Sequence, residues 1–140
     1  MDTDKSRRTV LIVEDEALIR LDIVSTLEVA GFCALEASSS TEGLAILAHH
    51  DEIGVVVTGI NMPGEMNGLA LVRRIIQDHP SICSIVISEN AAAQDAYEAG
   101  ATDFISKPFM VQTFVGTVHK AFRRHEMRQK GFTCLTQDNS

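Results

Sequence analysis

Short apolar runs alternate with segments of helical periodicity along most of the chain. Thr9–Val13 and Ile53–Thr58 are rich in β-branched residues, which is typical of strands that are buried on both faces. Three further runs predict strands, namely Cys33–Ala37, Ile82–Ser88 and Thr102–Ser106. The segments of helical periodicity between these runs predict helices that connect the strands. Such long connections are what parallel strands require.

The first two connecting segments predict amphipathic helices. The first begins at Glu16 and stops before Gly31, a residue type suited to the C′ position. The second covers Thr41–His50, with Thr41 near its N-cap. The predicted inward residues are Ile19, Ile23, Leu27 and Ala30 in the first helix and Leu44 and Leu47 in the second.

Three more helices follow the later strands. A loop from Gly59 to Gly64 precedes the third helix, and the fourth covers Ala91–Ala99 and ends at Gly100. The predicted inward residues are Leu69, Val72 and Ile76 in the third helix, and Val111, Phe114, Val115, Val118 and Phe122 in the fifth. The fold class predicted by this order is α/β, a five-stranded parallel sheet with helices on both faces.

Length and composition favour a single globular domain. The chain has 140 residues, of which 45% are hydrophobic and 22% charged, enough to bury a core without disulfides or metal. We expect a folded domain at 9–128, an N-terminal tail at 1–8, a C-terminal tail at 129–140 and no separate output domain. Cys33, Cys83 and Cys134 match neither a disulfide framework nor a zinc site.

The charge of the chain bears on its partners. A net charge of −7 repels phosphate backbones and anionic lipid, so neither nucleic acid nor a membrane is an expected partner. The first apolar run is too short for a signal sequence or a membrane span, which favours a cytoplasmic protein. The histidines lack metal-ligand spacing and are predicted to lie on the surface: His49, His50, His79, His119 and His125.

Chemically distinctive residues follow four of the predicted strands. Glu14 and Asp15 follow the first strand, Gly59 the third and Lys107 the fifth, and Ser88 ends the fourth. Because the carboxyl ends of parallel strands meet at one edge of a sheet, these residues should gather in one crevice. Adjacent carboxylates beside a lysine favour a functional site over a solvated strand end.

The motifs VLIVEDE, VVVTGINMPGEMNG, IVIS and DFISKPF together resemble the receiver domains of two-component signalling, from Thr9 to about Arg124. The resemblance implies the flavodoxin-like (βα)5 fold. In such receivers an aspartate after the third strand accepts a phosphoryl group from a histidine kinase or a phosphotransfer protein, with the help of Mg²⁺.

The resemblance also implies a role for several residues. Glu14 and Asp15 match the acidic pair that holds Mg²⁺, and Asn61 would offer its backbone carbonyl to the metal. Lys107 matches the lysine that pairs with the phosphoryl oxygens, and it precedes Pro108, where the family often has a cis peptide bond. Ser88 matches the hydroxyl that contacts the phosphoryl group, and both Ser88 and Phe104 match the switch residues.

Two features depart from the family pattern. Gly59 stands at the position of the acceptor aspartate and has no side chain to attack phosphorus, so phosphorylation there is chemically impossible. The loss of one carboxylate also leaves only weak Mg²⁺ binding to be expected. The segment between Ser88 and Lys107 is roughly three residues shorter than usual in the family, nearly one helical turn, which suggests an altered docking face.

These residues leave several interpretations open. The leading one is a pseudo-receiver that binds a histidine kinase, a phosphotransfer protein or another signalling protein without phosphorylation, and a second copy of the chain is a further candidate partner. The alternative is an active phosphorelay receiver that uses Asp15 or Glu14. Lys107 could instead form a structural ion pair with one of these carboxylates, and Phe104 could be a core aromatic. No motif supports a hydrolytic enzyme.

Overall fold

A computed structural model describes residues 8–131, and most of the two predicted tails, together with Cys134, lies outside this range. Strands and helices alternate along the described residues: β1 Thr9–Val13, α1 Ala17–Val29, β2 Cys33–Ala37, α2 Ser40–His49, β3 Ile53–Thr58, α3 Gly68–Asp78, β4 Cys83–Ser88, α4 Ala93–Ala99, β5 Asp103–Ser106 and α5 Val111–Gln129. A 3₁₀ turn at Asn90–Ala92 precedes α4. The predicted order of elements is therefore confirmed.

The five strands form one parallel sheet in the order β2-β1-β3-β4-β5. Val13 at the end of β1 pairs with Ala37 on one side and with Thr58 on the other, and Ser88 pairs with Ser106. The strands consequently end together, at what we call the carboxyl edge of the sheet. β2 lies on one side of β1, and β3, β4 and β5 lie on the other, so the order of strand addition reverses between β1 and β3, where open α/β sheets place their functional crevice.

Both faces of the sheet are covered by helices, because side chains alternate along each buried strand. Val10 and Ile12 of β1 belong to the core under α1 and α5, whereas Leu11 and Val13 belong to the core under α2 and α3. A third cluster joins Val86 to α3 and α4. The predicted two-faced parallel sheet is confirmed.

Several local predictions need correction. Ser39, not Thr41, caps α2, since its hydroxyl accepts a hydrogen bond from the Glu42 N–H at 3.1 Å. In α3, Ile76 is 43% exposed, and Leu71 and Ile75 occupy the core beside Val72 instead. The side chain of Asn67 caps α3 by accepting from the Ala70 N–H at 2.9 Å. The buried stripe of the helix is Gly68, Leu71, Val72 and Ile75, and Ile76 lies outside it, about 100° around the helix from Ile75.

The remaining differences are smaller. Val111 in α5 is 57% exposed and Ile19 in α1 is 36% exposed, because each lies near the helix end closest to the carboxyl edge. The strands β4 and β5 each begin one residue later than predicted. No helix among residues 8–131 is both long and apolar enough to cross a membrane.

His125 contradicts the prediction of a surface histidine. It is only 7% exposed, and its Nδ1 lies 2.7 Å from the carbonyl oxygen of Ser81. The edge of its ring meets Phe122, with 6.3 Å between the centroids. Burial is tolerated because the ring nitrogen has a hydrogen-bond partner and the carbon face is apolar.

Candidate functional site

A cavity of about 230 Å³ opens at the carboxyl edge, between α1 and the segment that joins β5 to α5. Its lining combines apolar side chains from three strands with a few polar groups: Ile12, Val13, Glu14, Ile19, Asp22, Ile23, Val57, Thr58, Gly59, Ile87, Lys107 and Phe109. The predicted site residues Glu14, Gly59 and Lys107 therefore come together in one crevice, as the strand order requires.

The backbone of Glu14 is fixed by neighbouring elements. Its N–H donates to the carbonyl of Ala37 at 3.0 Å, extending the pairing of β1 with β2. Its own carbonyl accepts from Arg20 Nη1 at 2.7 Å, and Arg20 Nε also forms an ion pair with Glu36 at 3.0 Å. Glu14 is thus held at the start of the crevice, with its side chain free to turn toward the cavity.

The carboxylate of Glu14 lies in an unfavourable electrostatic environment. Burial raises the pKa of the Glu14 carboxyl above its usual value, and a hydrogen bond from the Glu16 N–H at 3.1 Å opposes this. The Asp15 carboxylate raises the pKa further, while the charge of Lys107 lowers it. Burial dominates these effects, so ionised Glu14 is left short of favourable partners.

Gly59 follows β3 at the base of the crevice. Its N–H donates to the carbonyl of Val13 at 3.4 Å, and its carbonyl accepts from the Thr58 hydroxyl at 2.8 Å. A Cβ atom built at Gly59 would lie 3.4 Å from Glu14 Oε1 and 4.0 Å from the carbonyl oxygen of Ile87. These are ordinary contacts, so the position has room for a side chain.

The loop after Gly59 is packed tightly against the start of α3. Gly68 donates its N–H to the carbonyl of Ile60 at 2.8 Å. A Cβ at Gly68 would collide with the carbonyl group of Gly59, so this close approach of two backbone segments requires glycine. The contact fixes the position of the chain directly after the missing acceptor.

Lys107 reaches the crevice from the end of β5. Its N–H donates to the carbonyl of Ser88 at 2.9 Å, and the Lys107–Pro108 peptide bond is cis, as the resemblance implied. Within residues 8–131, none of the ion pairs closer than 4.0 Å involves Lys107. The expected close ion pair with Glu14 or Asp15 is not formed, and the interaction with Glu14 is only Coulombic.

Other predicted site residues lie outside the cavity lining. Asp15 and Asn61 are exposed beside the crevice, and Ser88 is half-buried at the end of β4. Phe104 is half-buried and packs against the cluster that contains Val86, in agreement with the interpretation of Phe104 as a core aromatic. The roles in metal binding, phosphoryl binding and switching stay predictions.

Sequence reasoning did not place Ile19, Asp22 or Phe109 at the cavity. Asp22 and Ile19 lie three positions apart on α1, and Phe109 follows the Lys107–Pro108 bond. Residues three apart share one face of a helix, so the placement of Asp22 beside Ile19 was readable in principle. The helical periodicity of α1 identifies its apolar inward residues, so it does not single out the acidic Asp22.

The acidic residues offer a limited site for Mg²⁺. No group of three or more His, Cys, Asp or Glu side chains suited to a metal occurs in the described part of the chain. The available donors are the carboxylates of Glu14 and Asp15 and the backbone carbonyl of Asn61. Mg²⁺ often binds through one or two carboxylates and keeps several waters, so these residues fit the ion only as a weak site.

A parallel sheet with helices on both faces, an acidic pair after β1 and a lysine after β5 define a CheY-like α/β signalling domain. The family model for the response regulator receiver domain matches residues 10–129, and the chain belongs to this family. Its members act in two-component signalling.

Curated relatives place similar domains in larger proteins. The transcriptional regulatory protein DctD of Rhizobium meliloti is 35% identical over 122 residues, covering 85% of this chain and 26% of DctD. The sensor kinase CckA of Brucella abortus is 34% identical over 122 residues, covering 84% of this chain and 13% of CckA. The chain thus corresponds to about a quarter or less of these proteins.

Solved structures agree with the fold. A response regulator receiver domain protein from Clostridium thermocellum superposes with a TM-score of 0.80 at 31% identity, covering 85% of this chain and 97% of that one. The receiver domain of NtrX from Brucella abortus gives a TM-score of 0.76 at 29% identity, over 81% and 98% of the two chains.

Proposed function

We propose that this domain is a pseudo-receiver, a binding module of two-component signalling that docks its partner without phosphorylation at the usual site. The observation that carries the proposal is Gly59 at the end of β3, inside the crevice that also contains Glu14 and Lys107. A receiver needs a carboxylate oxygen at this point to attack phosphorus. Glycine offers none, so the domain would present one constitutive docking state and would have no catalytic turnover.

The remaining crevice residues would keep reduced versions of their family roles. Glu14, Asp15 and the carbonyl of Asn61 would hold Mg²⁺ weakly, which supplies positive charge for an incoming anion. Lys107 would contribute a second positive charge from the opposite side. Ser88 and Phe104 would retain the positions of switch residues, without a phosphoryl group to contact.

The proposed partners follow from family membership and charge. Receiver domains interact with histidine kinases and phosphotransfer proteins, and one of these or another signalling protein is the proposed partner, with self-association as a further route. The curated relatives include DNA-binding regulators, but the net charge of −7 supports a domain that does not itself contact nucleic acid. The proposed location is the cytoplasm.

The decisive experiment restores the acceptor. The native protein, Gly59→Asp and Gly59→Asn are incubated with acetyl phosphate and Mg²⁺ and then weighed by intact mass spectrometry. A new Cβ has room at Gly59, so the variants should fold. We expect only Gly59→Asp to gain a phosphoryl group, because Gly59→Asn has the same shape and no nucleophilic carboxylate.

Phosphorylation of the native protein would contradict the proposal and support the alternative receiver that uses Asp15 or Glu14. In that case Asp15→Asn and Glu14→Gln, each made in the native background, identify the acceptor by loss of the mass gain. A second readout is affinity for a cognate kinase or phosphotransfer protein. It should be the same for the native protein with and without acetyl phosphate.

A further inference from the structure

The cavity at the carboxyl edge is unusually apolar for a site that would hold a phosphoryl group. Ile12, Val57 and Ile87 line it from three neighbouring strands, and Ile23 and Phe109 line it from either side. Phosphate and hydrated Mg²⁺ gain nothing from such walls, whereas an apolar group would be removed from water. The lining therefore indicates an organic ligand.

The cavity is also large enough for a small ring. Its volume is about 230 Å³, whereas an apolar cavity of about 150 Å³ already binds benzene and drug-sized ligands need about 300 Å³ or more. Gly59 contributes no side chain to fill this space, and Ile19 at the rim is 36% exposed. The cavity thus fits one ring with a short polar substituent and has an opening to solvent.

The polar part of the lining favours a cation. The lining contains two carboxylates, those of Glu14 and Asp22, and one ammonium group, that of Lys107. Glu14 is half-buried, and its carboxylate accepts a hydrogen bond from the Glu16 N–H at 3.1 Å. Exposed Asp15 lies directly beside Glu14. Among residues 8–131, none of the ion pairs within 4.0 Å involves Glu14, so an ammonium group placed near its carboxylate would add a charge-assisted hydrogen bond.

We propose that this cavity binds a compact organic ammonium ion, with its apolar group between Ile19 and Phe109 above the buried floor of Ile12, Val57 and Ile87, and its ammonium group at the Glu14 carboxylate. The site would make the domain responsive to a small amine, either a simple amine or an apolar amino acid whose carboxylate reaches Lys107.

The first test compares three probes of similar shape on the native protein, by backbone amide NMR titration. Phenethylamine carries an ammonium group, 2-phenylethanol is neutral and 3-phenylpropionate is an anion. We expect phenethylamine to shift the amides of Glu14, Gly59 and Lys107 and to bind about tenfold tighter than the alcohol. L-phenylalanine then distinguishes the two sources, because tighter binding than phenethylamine indicates an amino acid.

The second test uses two pairs of matched variants. Gly59→Ala adds only a Cβ that has room, whereas Gly59→Leu places its branched end in the cavity and should abolish binding. Glu14→Gln removes the charge and should weaken phenethylamine about tenfold, whereas Glu28→Gln makes the same change at an exposed α1 residue outside the lining and should leave binding unchanged. If Gly59→Leu fails to fold, Ile19→Trp blocks the entrance instead.

The proposal is overturned if phenethylamine produces no localised shifts, if the alcohol or the carboxylate binds as tightly, or if the blocking variant still binds. These readouts require no phosphorylation. A failure here leaves the acetyl phosphate result intact, and a phosphorylated native protein would not affect the amine titration.

Discussion

Charged side chains at the two edges of the sheet differ in whether they have a close partner, as Arg8 and Glu14 show. At the amino edge, where the strands begin, Arg8 donates two hydrogen bonds to Glu126 at 3.0 and 3.1 Å. The guanidinium also lies 5.4 Å from the centroid of the Phe122 ring, and buried His125 bonds to Ser81. At the carboxyl edge, Glu14 is half-buried and has no ion pair within 4.0 Å among the described residues.

This contrast distinguishes side chains that stabilise the fold from side chains that are candidates for function. Paired groups at the amino edge join α5 to the sheet and to the segment before β1. At the carboxyl edge Arg20 pairs with Glu36 and Ser38 with Glu42, whereas burial raises the pKa of the Glu14 carboxyl. A carboxylate with a perturbed pKa in a crevice is a candidate for function. The crevice at Gly59 therefore differs from the amino edge, because it leaves Glu14 and Lys107 without an ion pair within 4.0 Å among residues 8–131.

The largest predicted effect compares two glycines at opposite ends of β3. A Cβ at Gly54 would lie 2.6 Å from His125 Cδ2 and 2.9 Å from Phe122 Cε1, and both rings are buried. We expect Gly54→Ala to lower the free energy of unfolding by about 2 kcal/mol. Gly59→Ala should leave it unchanged or raise it by about 0.5 kcal/mol, because the new Cβ fits and the unfolded chain loses freedom. Urea denaturation measures both.

Equal destabilisation by the two alanines would contradict the comparison, since it would mean that the carboxyl edge is packed as tightly as the amino edge. A matched reference is Gly116→Ala, in the middle of α5, where a Cβ meets nothing within 4 Å. That variant should gain stability through helix propensity alone.

The second predicted effect compares two cationic side chains, Arg8 at the amino edge and Lys107 at the carboxyl edge. Arg8→Ala removes a bidentate carboxylate contact and a ring contact, so we expect a loss of about 1 kcal/mol that shrinks at high salt. Lys107→Ala removes a side chain without a close ion partner and should change the free energy of unfolding by less than about 0.5 kcal/mol. Thermal unfolding at low and high salt checks both, and an equal loss for Lys107→Ala would show a stabilising pair that the geometry lacks.

The accuracy of the predicted helix and strand bounds depends on the local sequence pattern of each element. Strands β1, β2 and β3 were predicted with the observed bounds. The runs in β1 and β3 are rich in β-branched residues and end sharply at a charge or a glycine, and Cys33–Ala37 lies between Gly31 and a run of serines. The caps of α2 and the inward face of α3 were misjudged. The cap of α2 depends on which of several polar residues, Ser39 or Thr41 for example, begins the helix. The inward face of α3 depends on how the helix packs on the sheet, because neighbouring residues point about 100° apart and only packing selects between them.

The residues of the candidate site also divide into those that the sequence predicts and those that it does not. Glu14, Gly59 and Lys107 were predicted to meet because strand order alone brings them to one edge. Asp22 and Phe109 were missed, since their place in the cavity depends on how α1 and the segment after Pro108 pack. His125 was misjudged as a surface residue because the carbonyl that binds it, that of Ser81, is 44 residues away in sequence.

The smallest effect tests the electrostatics of the crevice directly. Burial raises the pKa of the Glu14 carboxyl above its usual value, so ionisation costs more in the folded protein than in the unfolded chain, and stability from this group is lost as the pH rises through the folded pKa. Glu14→Gln should therefore raise the free energy of unfolding at about pH 7 by roughly 0.5 kcal/mol or less, since solvent screens a half-exposed group. At about pH 4 the gain should vanish.

Glu42 provides the control of opposite sign at the same edge. Hydrogen bonds from the Ser38 N–H at 2.7 Å and the Ser38 hydroxyl at 2.8 Å lower the pKa of the Glu42 carboxyl. Its stabilisation is present above the unfolded pKa and is lost as the pH falls, so Glu42→Gln should destabilise the protein at neutral pH. If both glutamines shift the urea midpoint in the same direction, Glu14 is a satisfied structural carboxylate and the crevice has no electrostatic need for a ligand.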